Sequence, residues 1–253
     1  MKKKKIAMAT AATRQFISNF LRPGMDRAMV ASFGSAGRSP LRIEQDFTDR
    51  KDKLGYALDA VERSVDKEET RLYDGMDDGA EVLQIAARPD AIRLMIVKTD
   101  GEDVGSRRFR ESIVFGHRLS AEAVLGLHLR HNFLSDPRNY AVLIGVGSGG
   151  QINEEALATI GAYGEFPAVA IDSFSMLEGL YKSIAEQVTS QFYGGGVYQA
   201  GGRTWAQIAE VRKRVAVPID VLFLLDRSGS MNLEETVPDE TVYGHRFGPF
   251  SRN

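Results

Sequence analysis

Apolar residues recur along the chain at helical and extended spacings, and the two kinds of segment alternate. In KIAMATAATRQFISNFL, Ile6, Ala9, Phe16, Ile17 and Phe20 share a helical face, and Arg22-Pro23-Gly24 predicts the stop. DRAMVASF, residues 26–33, predicts a short strand ended by a turn region at Gly34–Gly37, and LRIEQDF a further extended piece. Leu54, Ala57, Leu58 and Val61 predict a helix from Arg50 to Val65, and RLYDGMDDGAEVLQIA predicts a second that starts directly after Thr70. AIRLMIVKTD, ending at Asp100, has the apolar density of an interior parallel strand. Residues 107–135 predict a long helical region broken near Gly116 or Ser120. YAVLIGVGSGG, INEEALATIGAYG, FPAVAID and SMLEGLYKSIAEQV then alternate as strand, helix, strand and helix. The pattern weakens over residues 191–218, where Trp205 reads as a packing anchor. Residues 219–225, IDVLFLL, form the most hydrophobic strand and require cover on both faces.

This alternation predicts an α/β fold: a doubly wound, mostly parallel sheet flanked by helices on both faces. Residues 1–253 read as a single domain, with an irregular tail at 232–253 that contains Pro238, Gly244 and Pro249. A length of 253 residues is enough for one substantial core. The formal charge of -2, from 32 basic and 34 acidic residues, argues against an extended nucleic-acid-binding surface. The absence of cysteine excludes disulfides, thiolate metal sites and cysteine nucleophiles. No apolar run reaches the roughly 18 residues needed to span a bilayer. The Lys2–Lys5 run precedes a mixed segment with Arg14 and Gln15, so it reads as solvated charge in place of a targeting signal.

The sharpest chemical feature is Asp226-Arg227-Ser228-Gly229-Ser230-Met231, at the end of the most apolar strand. A carboxylate and two hydroxyls at alternating positions can point into one loop cavity, and Gly229 permits a tight bend. An oxygen-only set suits a hard cation: Mg²⁺ first, with Mn²⁺ or Ca²⁺ as alternatives. The bland alternative is a polar turn whose serines satisfy backbone groups. Thr70, before a helix, and Asp100, after a strand, offer further oxygens; alone, the first reads as a helix cap and the second as a turn carboxylate. In a parallel sheet, however, the C-terminal strand ends collect at one crevice.

Together these segments resemble the von Willebrand factor type A domain and its metal-ion-dependent adhesion site. The resemblance rests on the DxSxS loop at Asp226, Ser228 and Ser230, on Thr70 in ETRLYDGM and on Asp100 in VKTDGED. It extends through FLRPGMDRAMVASF, YAVLIGVG and SFSMLEGLYKSIAEQ, and is weakest over residues 191–218. It implies that these five residues hold a divalent ion, directly or through water, and that a carboxylate of a protein partner completes the shell. The order of elements departs from the family, which begins with the DxSxS strand and runs directly into the helix that residues 3–20 resemble. The chain therefore looks like a circular permutant, which implies that strand 219–225 inserts between strands 26–33 and 92–98. Ser230 then leads into a tail and not into a helix that would orient it.

Competing signals are weaker. Gly145-x-Gly147-x-x-Gly150, followed by a helix and a strand ending at Asp172, has the spacing of a dinucleotide-binding unit and supports a rival reading as an α/β oxidoreductase. His128 and His131 lack a third ligand, Ser228 lacks an identifiable base, and Arg107, Arg108 and Arg110 read as a solvated rim. The expectation is a non-enzymatic, cation-dependent protein-binding module. A further alternative is a structural module whose ion site is weakened by the permuted connection.

Overall fold

The most apolar stretch of the chain takes the most protected place. In the computed structural model, β9 (Ile219–Asp226) is buried at every residue. It is flanked in parallel by β2 (Arg27–Phe33) and β4 (Ile92–Thr99). β3 (Leu41–Thr48) pairs antiparallel with the outer side of β2, while β7 (Asn139–Val146) and β8 (Ala168–Ile171) continue the sheet in parallel beyond β4. The order β3-β2-β9-β4-β7-β8 is a mostly parallel six-stranded α/β sheet, compatible with a Rossmann-like fold. The described residues are 2–34, 39–64, 70–101, 103–114, 116–147, 152–171, 174–191, 207, 217–232 and 234–236. Trp205, Asp172, Gly150, His245 and residues 237–253 lie outside them.

Strand alternation divides the interior into two cores. Val30, Ile96, Val221 and Phe223 face α1 (Lys5–Phe20), α2 (Lys51–Arg63) and α6 (Phe174–Gln191). Met29, Val97, Leu222 and Leu224 face α3 (Leu72–Ala86), α4 (Ala121–Asn132) and α5 (Glu154–Gly164). Phe223 meets Phe16 of α1 edge-on, with ring centroids 5.7 Å apart. Full burial of such a side chain contributes about 1.5–3 kcal/mol, and β9 carries one on each face at successive positions. Lys98 intrudes on the first core: fully buried, it donates to the Ala9 carbonyl at 3.1 Å and to Thr13 Oγ1, and stands over the Tyr181 ring. Burial pushes its pKa well below the ordinary lysine value.

At the N-terminal ends of the strands, buried carboxylates are clamped. Asp220 accepts from Arg27 at 2.7 Å, from Arg88 Nη2 at 2.6 Å and from the Arg88 backbone at 2.8 Å. Asp26 accepts from the Arg22 side chain and from the Ile219 backbone at 3.0 Å.

Three segments differ from the sequence expectation. The region expected to be helical over 107–135 begins instead with β5 (Ser112–Val114) and β6 (His117–Leu119), paired antiparallel. Gly116, with φ +81°, turns the chain between them. The helix starts only at Ala121, where the Ser120 hydroxyl accepts from the Ala123 N–H at 3.3 Å. Within the tail expected to be irregular, β10 (Glu234–Thr236) pairs antiparallel with β1 (Lys2–Lys4), setting Lys4 opposite Glu234 and Lys3 opposite Glu235. The expected solvated lysine run is therefore part strand, and its last member, Lys5, is only 1% exposed.

Candidate metal site

Parallel pairing of β4 with β9 brings Lys98 level with Leu225, so the residues that follow both strands emerge at one edge. Asp226, the last residue of β9, is fully buried there. Its Oδ2 accepts from the Thr99 hydroxyl at 2.7 Å, and its Oδ1 accepts from the Ser228 backbone at 2.8 Å, an Asx-type turn. Ser228 Oγ lies 2.9 Å from Ser230 Oγ, so both hydroxyls of the loop meet. A short 3₁₀ turn, Gly229–Asn232, holds them, closed by the Met231 N–H on the Ser228 carbonyl at 3.1 Å and anchored by the fully buried Met231 side chain.

Asp100 follows β4 and is 2% exposed. Its carbonyl accepts from the Asn153 N–H at 3.2 Å, which fixes the bend against the start of α5. Gly101 takes φ +85°, and a Cβ there would stand 3.2 Å from the Asn153 backbone, so both conformation and space favour glycine. Thr70 is buried on the adjoining loop, its carbonyl accepting from the Val104 and Gly105 N–H groups at 3.0 and 2.9 Å. It does not cap α3. Asp103 Oδ1 and Ser106 Oγ instead accept from the first-turn N–H groups of Tyr73 and Asp74, at 3.2 and 3.0 Å. Asp74 in turn accepts from the Arg107 and Arg108 backbones, which ties the loop after β4 to α3 on both sides.

The electrostatics of this edge are strained. Burial pushes the pKa of Asp226 up, and the nearby Asp100 carboxylate pushes it further, to about 7, against the opposing hydrogen bonds from Ser228 and Thr99. Asp100 Oδ1 is buried and has no hydrogen-bond partner among the described residues. Its Oδ2 has the Lys5 ammonium at 3.7 Å. Two buried carboxylates, one of them with an orphaned oxygen, and two adjacent hydroxyls form an oxygen-donor set of the kind that fits a hard divalent cation. Among the described residues no group of three or more His, Cys, Asp or Glu side chains is placed to hold a metal ion, so a cation here would depend on hydroxyl oxygens as well as carboxylates.

Of the five residues singled out from sequence, the structure joins Asp226, Ser228 and Ser230 in one loop and sets the Asp100 carboxylate near enough to Asp226 to raise its pKa. Thr70 stands on the loop bonded to that of Asp100, and no hydrogen bond joins its side chain to either aspartate among the described residues. Two participants were missed: Thr99 and Lys5. Thr99 is a hydroxyl-bearing residue at the end of a fully buried strand, while Lys5 lies on the helical row Lys5, Ala9, Thr13, all buried. Those placements were the available signals.

The other candidates find local explanations. A Cβ at Gly145 would approach Leu157 Cδ1 to 2.5 Å, so that glycine lets α5 pack on β7. His128 pairs with Asp77 at 2.9 Å. Arg108, expected to be solvated, pairs with Asp77 at 2.7 Å and also with Asp78. Among the described residues no helix is long and apolar enough to cross a membrane. No protein-family model matches the chain, and no curated protein matches it.

Proposed function

We propose that the chain is a circularly permuted von Willebrand factor type A-like module that binds a divalent cation, Mg²⁺ foremost, and through it an acidic group of a protein partner. The observation that carries this reading is the pair Asp226 and Asp100: both are buried, the Asp100 carboxylate adds to the cost of charging Asp226, and one oxygen of Asp100 is orphaned. Lys5 compensates one oxygen of Asp100, and the oxygen that remains orphaned is open to a bound ion.

Asp226, Ser228, Ser230, Thr70 and Asp100 would hold the ion. The ion would supply a Lewis-acidic position to which a partner carboxylate can bind. The chain's own residues prepare that position: Thr99 and the Ser228 N–H orient Asp226, Met231 anchors the serine loop, and the Asn153 and Val104 contacts fix the two neighbouring loops. The permuted order is supported by the central place of β9, which follows the other strands of the sheet in the chain yet lies between β2 and β4. We read the module as a binder and not an enzyme, because its hydroxyls are arranged around carboxylates that suit ion binding. Calorimetric titration with Mg²⁺ or Mn²⁺ tests this. Wild type should bind one ion, and Asp226→Ala should lose most of that affinity while the sheet remains folded. Equal affinities would remove the site assignment.

A further inference from the structure

The edge that gathers the carboxylates also holds a cation of its own. Lys5 is the first residue of α1, is 1% exposed, and places Nζ 3.7 Å from Asp100 Oδ2. Two effects oppose an ammonium there. α1 has no acidic residue in its first turn, so the positive end of the helix dipole repels the charge, and burial strips the water that an ammonium binds strongly. The Asp100 carboxylate opposes both effects, with its Oδ2 facing the Lys5 ammonium.

An ammonium tethered to the helix start and a divalent ion are attracted to the same carboxylates and repel each other. We propose that Lys5 is a built-in counter-cation that balances the Asp226 and Asp100 pair when no ion is bound and competes with a divalent ion for it, so that it sets the ion affinity of the site. This rests on the metal-site reading given above. Asp100 divides its two oxygens: Oδ2 faces Lys5 and Oδ1 has no hydrogen-bond partner among the described residues. Lys5 thus trades affinity for stability of the ion-free fold.

The test is Mn²⁺ calorimetry at pH 8 on chelator-stripped wild type, Lys5→Met, Lys5→Arg and Asp226→Ala, together with denaturant unfolding in chelator. Lys5→Met removes the charge at similar length and should bind Mn²⁺ about tenfold more tightly than wild type, an electrostatic order of magnitude. Lys5→Arg keeps the charge and should stay near wild type. In chelator, the Lys5→Met unfolding midpoint should fall, and Mn²⁺ should restore it. A Lys5→Met protein that binds no more tightly than wild type, while Asp226→Ala abolishes binding, overturns the counter-cation and leaves the metal site standing. Undiminished binding by Asp226→Ala, or no binding by wild type, removes the metal site and the counter-cation with it. Should Lys5→Met fail to fold without ion, Lys5→Gln and the Mn²⁺-induced rise in unfolding midpoint give the same readout. A larger rise than in wild type supports the proposal, and an equal or smaller one overturns it.

Discussion

Strand β9 carries a fully buried carboxylate near each end, and the two are treated in opposite ways. At Asp220 burial pushes the pKa up, but hydrogen bonds from Arg27 and Arg88 outweigh it and hold the carboxyl below its usual range. At Asp226 burial pushes in the same direction, Asp100 adds to it, and the Ser228 and Thr99 bonds leave the group at about 7. The contrast teaches that burial of a carboxylate says little by itself. Full compensation by guanidinium groups marks a clamp that ties β9 to β2 and to the loop between α3 and β4. Partial compensation at the C-terminal ends of parallel strands, where sites gather, is what the proposed cation site requires.

Neutralising each aspartate at constant shape separates the two ends of β9 most strongly. Asp220→Asn should cost about 3–5 kcal/mol, because it leaves two arginines facing a neutral group; urea unfolding at pH 8 measures it. Asp226→Asn in chelator should do the reverse and stabilise the fold by an amount on the order of 2–4 kcal/mol, since it removes a buried, poorly compensated charge. A loss of stability at both ends would erase the distinction.

The pH dependence of ion-free wild type follows from the same difference. Asp226 holds its proton to about pH 7 in the folded chain, against about 3.9 for an unfolded aspartate. Between those values the folded state binds more protons than the unfolded one, so this group's contribution is most favourable below about pH 4 and is lost as pH rises through 7. Unfolding in chelator across that range should show the decline, and Asp226→Asn should flatten it. A divalent ion should oppose it, because the ion binds the charged carboxylate.

The smallest effect belongs to Thr99→Val. Loss of the hydroxyl removes its bond to Asp226 and an acceptor for the Gly101 N–H, which should cost about 1 kcal/mol and weaken Mn²⁺ binding several-fold. No change in either quantity would show that Thr99 does not orient Asp226.

The frame of the molecule was legible where one physical signal dominated. The unbroken apolar run of residues 219–225 could be buried only between other strands, and parallel strands necessarily bring Asp226 and Asp100 toward one edge. What escaped was set by partners distant in sequence. Asp103 and Ser106 cap a helix some thirty positions earlier, and a helix-like run of residues over 107–119 turns back as a hairpin at Gly116. Lys5 escaped for a different reason: in a run of lysines its charge looks solvated, and only the docking of α1 against the Asp100 loop shows that it is buried. Thr99 was overshadowed by the carboxylate beside it.

We propose that the undercompensated end of β9 is a cation site. A crystal structure grown with Mn²⁺, read by anomalous scattering, tests it most directly. The account predicts one strong peak bounded by Asp226, Ser228 and Ser230, with Asp100 and Thr70 within direct or water-bridged reach, and no peak beside Asp220. An empty Asp226 loop at saturating Mn²⁺, or an ion held only elsewhere on the protein, would contradict it.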